Sequence, residues 1–388
     1  MRKISLILNP LYPVLDHNSN LFLKIAPYIN AEKEIITLNT SYDNKAHPRN
    51  IDGAPVYFAK KHKLLDRLIF HPLKYIVGSL RADDLLCFLK VFFVSLMRKI
   101  KNKPDAVISV LEMHFSPLAA SRMGKKVKKA LYLMDATAPM FKADLSIANE
   151  NKWFLKMLNR YDVVFTTRFI KEAMLKKGYD KYAKRVVEVS FPMITGFNNI
   201  SQKSDDKITL LYAGTMYSRL RAPDYFFKII SRLDNRFRVV FIGEGCEGVF
   251  EKYGVKTEAE VIGLPRVEYK KMLQIIADSD ILINIGNCVP VHIPSKTLEY
   301  INTGMPIANF YKIDNCPTLY YTSRYPLCIN FDERDENIDK VADEFIRFCL
   351  ESKDKRLEQE WIFKEYSECT PKEIAKTIEA ELFNDQPQ

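Results

Sequence analysis

Short apolar runs recur along the first half of the chain, separated by segments in which apolar positions repeat every three or four residues. Residues 4–8, 35–38, 106–111, 130–134, 163–166 and 186–189 are of strand length and largely apolar. That pattern predicts strands covered on both faces, as in a parallel sheet. Helices are predicted between them at 19–29, with Asn18 or Ser19 as N-cap, and at 117–123, 149–159 and 170–177, the last closed by Gly178. Residues 39–55 are polar and rich in turn formers and read as a loop. Strand, helix and strand repeated in this way predict a doubly wound α/β sheet.

The polar stretch NNISQKSDDK, residues 198–207, interrupts the alternation and reads as a linker. The pattern then restarts. Strands are predicted at 208–212, 237–242, 261–262, 281–285, 307–310 and 327–330, and helices at 223–233 and 267–277. Within HIPSKTLEYINTGMPI, residues 292–307, Pro294 and Ser295 open a short helix, and Gly304 and Pro306 close it. Residues 355–383 are helical and charged, with Trp361, Phe363 and Tyr366 as packing anchors. A chain of 388 residues is too long for one ordinary core. The expected division is a first domain at 1–200, a second at 207–355, and a helical tail at 356–388 that crosses back to the first.

Composition narrows the class. Hydrophobic residues make up 47% and aromatic residues 12%, which predicts packed domains and excludes a disordered chain. The seven cysteines are scattered without C-x-x-C or metal-ligand spacing and read as thiols in a reducing compartment. The opening MRKISLILNP has too short an apolar run for a signal peptide, so a cytoplasmic location is expected. The longest apolar run, residues 85–97, is interrupted by Lys90 and falls short of the roughly 20 residues that span a bilayer.

A net charge of +10 points to an anionic partner. The segment 59–103 holds eleven Lys and Arg against three Asp, interleaved with Leu, Ile, Phe and Val. It reads as two or three amphipathic helices that either attach to an anionic membrane surface or pack on a sheet with solvated lysines. No nucleic-acid-binding module is visible, and the basic block is mixed with aliphatic residues, so nucleic acid is not the expected partner.

Candidate chemistry centres on Lys296 and Glu299, three apart and on one face of the helix within 292–307. A phosphate at the helix start would find Lys296 as counter-ion, while Glu299 accepts hydrogen bonds from hydroxyls; phosphate plus diol is what a nucleotide offers. The same two residues also read as a solvated pair worth about a few tenths of a kcal/mol. Gly243, Gly245 and Gly248 spell G-x-G-x-x-G, but after the second strand of their domain, with no clear helix at 246–249 and Glu260 poorly placed as the ribose acid. The D-x-D of Asp278, Ser279 and Asp280 ends a helix and reads as a cap, not a metal site.

Three pieces in the second half resemble, in order, the GT-B-fold glycosyltransferases, in particular the family-four-like group. They are LLYAGTMYSRLRAPDYFFKII, then VVFIGEG, then ADSDILINIG followed by IPSKTLEYINTGMPIA. The match covers residues 207–330 well and the first domain in architecture only. The resemblance implies two Rossmann-like domains facing each other across a cleft, the first for the acceptor and the second for a nucleotide-sugar donor. It implies that Arg221 and Lys296 neutralise the donor diphosphate, that Glu299 holds the ribose, and that Gly214 and Thr215 let backbone approach the phosphates or sugar. Gly243 and Gly245 would line the nucleotide pocket, Leu264 with Pro265 would lie near the base, and Ser295 and His292 would complete the donor set.

One position departs from the pattern. The first Glu of the family's paired-Glu motif falls on Val291, beside His292, which either substitutes as a hydrogen-bond partner or is an ordinary loop histidine. The implied activity is hexosyltransferase-type transfer to a saccharide acceptor without metal or cofactor; the basic, apolar segment 59–103 suggests a lipid-linked acceptor, as in bacterial surface polysaccharide or lipopolysaccharide synthesis. The enzyme would be peripheral at the inner face of the cell membrane. Asp135, after the strand ALYLM, is the candidate base for an inverting reaction, ahead of Asp16, His17 and His114; it also reads as a turn or cap residue. The alternatives are a sugar-nucleotide epimerase of the same architecture and an NAD-dependent oxidoreductase.

Overall fold

The computed structural model describes residues 1–11, 17–38, 48–59, 79–111, 115–134, 152–198, 201–203, 206–216 and 221–383. The chain forms two compact units, Met1–Pro192 with Glu368–Gln388, and Met193–Ser367. Each is a layered α/β domain built on a mainly parallel sheet.

The first unit runs β1 (Lys3–Ile7), α1 (His17–Ile25), β2 (Glu32–Leu38), β3 (Asn50–Ile51), β4 (Ala54–Ala59), α2 (Ser79–Asn102), β5 (Ala106–Val110), α3 (Phe115–Ala120), β6 (Lys128–Leu133), α4 (Lys152–Leu158), β7 (Val163–Thr166), α5 (Arg168–Lys176) and β8 (Val186–Glu188). The sheet order is β3-β4-β2-β1-β5-β6-β7-β8, with only the β3–β4 pair antiparallel. Central strands such as β5 are buried at every position, as their unbroken apolar sequence requires.

The reading of 39–55 as a loop is corrected at its C-terminal end. Residues 50–59 form a hairpin whose second strand, β4, pairs in parallel with β2. Its turn is Asp52-Gly53, both at positive φ (48° and 83°), with the Gly53 N–H donating to Asn50 Oδ1 at 2.8 Å. An Asp-Gly pair is the standard two-residue hairpin signal, masked in the sequence by the polar residues before it.

The described part of the basic, apolar segment 59–103 is one helix, α2, of 24 residues. Arg98 fixes it to the sheet. Its Nε and Nη2 lie 2.8 and 2.7 Å from Glu34 Oε2 on β2, its guanidinium covers the Tyr57 ring at 3.8 Å, and Ser5 Oγ donates to the other Glu34 oxygen at 2.6 Å. The opposite side of α2 carries Phe93, Met97 and Ile100, exposed by 59%, 66% and 64%.

The second unit runs β9 (Ile208–Ala213), α6 (Asp224–Ile230), β10 (Phe237–Ile242), α7 (Val249–Lys252), β11 (Glu260–Leu264), α8 (Tyr269–Ala277), β12 (Ile281–Ile285), α9 (Ser295–Ile301), β13 (Ile307–Tyr311), α10 (Pro317–Thr322), β14 (Cys328–Asp332), α11 (Ile338–Ser352) and α12 (Gln359–Glu365). All pairs in its six-stranded sheet are parallel, in the order β11-β10-β9-β12-β13-β14. An aromatic cluster forms its core: Phe226 of α6 meets Phe310 of β13 at 4.9 Å between ring centres and Phe345 of α11 at 5.7 Å. Asp278 of the D-x-D fastens the linker, its Oδ1 accepting the Gln202 N–H, and Asp280 holds the start of β9, its Oδ2 accepting the Thr209 N–H at 2.7 Å.

A last helix, α13 (Pro371–Phe383), belongs to the first unit. Arg185 and Glu381 pair at 2.7 Å, Arg2 covers the Phe383 ring at 4.5 Å, and Ser190 Oγ lies 3.0 Å from Cys369 Sγ. Of the expected tail anchors, Tyr366 is fully buried in the second unit, its hydroxyl on Tyr321 O at 2.8 Å, whereas Phe363 remains 38% exposed.

Candidate functional site

Strand order in the second unit reverses at its centre. The chain moves outward from β9 through β10 to β11, then returns to the other side of β9 with β12, β13 and β14. The segments leaving the carboxyl ends of β9 and β12 therefore diverge, and open α/β sheets bind ligands at such a switch point. The candidate donor residues gather at this edge. Gly214 and Thr215 leave β9, Arg221 precedes α6, Gly243 and Gly245 leave β10, and Leu264 ends β11. His292 lies in the segment after β12, and Ser295, Lys296 and Glu299 lie on α9.

The turns after β9 and β10 touch backbone to backbone. Gly243 has φ 146°, and a Cβ there would lie 2.1 Å from Gly214 O, so only glycine fits. On its other side Gly214 faces Arg221, whose Nη1 would lie 3.9 Å from a Cβ built at Gly214. Cys246 adds a weak hydrogen bond from Sγ to Gly214 O at 3.6 Å; burial pushes its thiol up to about 12, so the thiol stays a neutral donor.

Helix α9 brings Lys296 and Glu299 together as an ion pair, Nζ on Oε2, with each side chain 26% exposed and open to exchange partners. Pro294 at the N-cap offers no side-chain hydrogen bond to the first turn. Tyr300, the next residue, connects this helix to β9. The Ala213 N–H donates to its hydroxyl at 2.9 Å, and the hydroxyl donates to Ala213 O at 3.3 Å. Complete burial pushes the Tyr300 phenol well above its ordinary range, so it stays protonated. Tyr212 and Glu299 add to this rise and Arg221 opposes it.

Two further supports are absent from the sequence reading. Asn284, Asn309 and Asn330 lie in register on β12, β13 and β14 and form a hydrogen-bonded ladder, with Nδ2 to Oδ1 distances of 2.6 and 2.8 Å. Thr297 of α9 donates to its first member, Asn284 Oδ1, at 3.3 Å, which fixes the rotation of the helix. Lys312, just past β13, donates to Ala222 O at 3.0 Å and pairs with Glu333 at 3.2 Å. The visible clue to the ladder was Asn284 inside the apolar run ILINI.

Asp135, Asp16 and His114 lie outside the described residues, and His17 is the first residue of α1. Among the described residues, no group of three or more His, Cys, Asp and Glu side chains is placed to hold a metal ion.

No family model and no curated protein matches the chain. Solved structures do match, over nearly its whole length. The lipopolysaccharide outer core galactosyltransferase WaaB in its apo form aligns with TM-score 0.58 at 13% identity, covering 98% of this chain and 99% of that one. An α,α-trehalose-phosphate synthase (UDP-forming) from Burkholderia vietnamiensis aligns at 0.60 and 10% identity, covering 98% and 99%. The UDP-GlcNAc 2-epimerase of Methanocaldococcus jannaschii aligns at 0.54 and 13% identity, covering 98% and 100%. The chain has the GT-B fold.

In this GT-B chain Val291, where the paired-Glu motif would place its first carboxylate, is only 6% exposed and packs as an apolar residue. His292 beside it is half-buried and held by Asn287, whose Nδ2 donates to His292 Nδ1 at 2.6 Å and to His292 O at 3.0 Å. An amide nitrogen can only donate, so Nδ1 is the acceptor and Nε2 carries the ring proton. The side chain next to Val291 is thus a hydrogen-bond donor instead of a carboxylate.

Proposed function

We propose that the chain is a glycosyltransferase that moves a sugar from a nucleoside-diphosphate donor to a lipid-linked saccharide acceptor, in bacterial surface polysaccharide or lipopolysaccharide synthesis. The observation that carries this reading is that Arg221 lies beside Gly214 at the Gly214–Gly243 contact while the Lys296–Glu299 pair stands on α9, the helix after β12, so both belong to the switch point of the second sheet. Two fixed cations at a ligand edge suit a diphosphate, and a carboxylate beside them suits the ribose hydroxyls. On binding, the Lys296–Glu299 pair exchanges its internal bond for these two ligand groups. As the glycosidic bond breaks, negative charge grows on the departing diphosphate, and Arg221 and Lys296 stabilise it. Asp135, which follows Met134 after β6, is our choice of base for the acceptor hydroxyl, and His292 of partner for the donor sugar.

The structural neighbours support the reading: one is a lipopolysaccharide outer core galactosyltransferase and another is a UDP-forming trehalose-phosphate synthase. Among the described residues no helix is long and apolar enough to cross a membrane. Attachment at the inner face of the cell membrane is supported by the exposed Phe93, Met97 and Ile100 on α2 and by the cation excess of the segment 59–103. The deciding experiment is a thermal-shift panel of UDP, GDP, CDP, ADP and NAD, followed by product analysis with the matching nucleotide sugar. Stabilisation by one diphosphate and transfer to an acceptor are expected. Epimerised nucleotide sugar without transfer would replace this reading with the epimerase, and stabilisation by NAD alone would replace it with the oxidoreductase.

A further inference from the structure

Arg221 lies beside Gly214, the residue that leaves β9, and the residue after Arg221 is held from across the sheet. Ala222 O accepts a hydrogen bond from Lys312 Nζ at 3.0 Å, across 90 positions of sequence. Lys312 stands just past β13, two strands from β9, and its ammonium is 3.2 Å from Glu333, just past β14. The Glu333 side chain is only 9% exposed and its N–H donates to Tyr311 O at 2.9 Å, so the carboxylate is a fixed anchor for Lys312. Burial raises the Glu333 carboxyl above its usual range and Lys312 opposes this, while Asp224 and Asp332 add to the rise. A buried carboxylate retained at this cost needs its ammonium partner in place.

Given the donor site proposed above, we infer that Lys312 and Glu333 are positioning residues for diphosphate binding: Glu333 holds Lys312, Lys312 clamps Ala222 O, and the clamp keeps the Arg221 guanidinium beside Gly214. Neither residue needs to touch the donor. The pair acts through Arg221, and this separates it from a further phosphate ligand.

The test is a double-mutant cycle read by calorimetric titration of whichever of UDP, GDP, CDP or ADP binds the wild-type chain most tightly. Lys312→Met is expected to weaken binding roughly tenfold, the scale of a lost charged hydrogen bond. In an Arg221→Ala background it is expected to have no further effect, because the group it positions is gone. Lys312→Arg, which keeps a cation in reach of Ala222 O, should recover most of the affinity. If Lys312→Met does not fold, Glu333→Gln runs the same cycle. Equal weakening by Lys312→Met with and without Arg221, or unchanged affinity with Arg221 present, overturns the clamp and leaves the donor site standing. Unchanged affinity in Arg221→Ala itself overturns the donor-site reading and the clamp with it.

Discussion

Tyr300 and Ala213 exchange two hydrogen bonds, hydroxyl to carbonyl at 3.3 Å and amide to hydroxyl at 2.9 Å, although 87 positions separate them in the chain. The contact joins the helix carrying Lys296 and Glu299 to β9, the strand that leads into Gly214. Tyr300→Phe strands a buried N–H and is expected to cost about 1–3 kcal/mol of stability. A melting temperature unchanged from wild type would show that the phenol is not the fastener described here.

Lys296→Ala and Glu299→Ala are each expected to weaken nucleoside diphosphate binding by ~1–3 kcal/mol, measured by titration calorimetry. Both side chains are partly exposed, so losing their mutual ion pair should change the melting temperature little. Unchanged affinity in both variants would remove the site from this helix.

Asp135→Asn should leave diphosphate affinity intact and lower turnover by roughly 10²–10⁴-fold, the usual contribution of a positioned base. Comparing kcat with the donor KM separates the two effects. Full turnover in the variant would move the base to another residue.

Asp162 lies in the first unit, where Lys184 Nζ and the Lys129 N–H, at 2.8 Å, both donate to its carboxylate. Burial alone would raise its pKa, but these two hydrogen bonds and the two lysine charges hold it below the usual aspartate range. A depressed folded-state value contributes stability above the ordinary aspartate pKa, and that stability is lost as pH falls through the folded value. Asp162→Asn should therefore cost roughly 1–2 kcal/mol at pH 7 in denaturant titrations, with the difference from wild type closing as pH falls below the ordinary aspartate range. A pH-independent difference would assign the effect to shape instead of charge.

Replacing Phe93, Met97 and Ile100 together with serine should reduce co-sedimentation with anionic liposomes at low salt. These side chains are mostly exposed, so stability should change by less than about 0.5 kcal/mol each. Equal sedimentation by the variant and the wild type would exclude this face of α2 as the membrane contact.

The sequence made the strands of the second unit readable because each is a short, mainly apolar run between turn residues, and Lys296 and Glu299 were readable because a helix start and stop bracket them. The Asp52-Gly53 hairpin was lost because polar neighbours outweighed a two-residue signal, although the turn chemistry was present. Tyr300, Asn284 and Lys312 were not legible as supports for a different reason. Their partners are Ala213, Asn309 and Ala222, and no local periodicity reports a contact between segments far apart in the chain.

Residues 193–367 form one unit, whereas the other is made of residues 1–192 and 368–388. The ribosome thus releases every part of the inner unit before it delivers α13, whose Arg185–Glu381 and Arg2–Phe383 contacts complete the outer one. Domains fold as units during synthesis. The order of completion is then inverted relative to the order of the genetic message: the first-made segment is the last to be finished. A stalled or clipped chain would expose the flank of the first sheet while carrying an intact second unit.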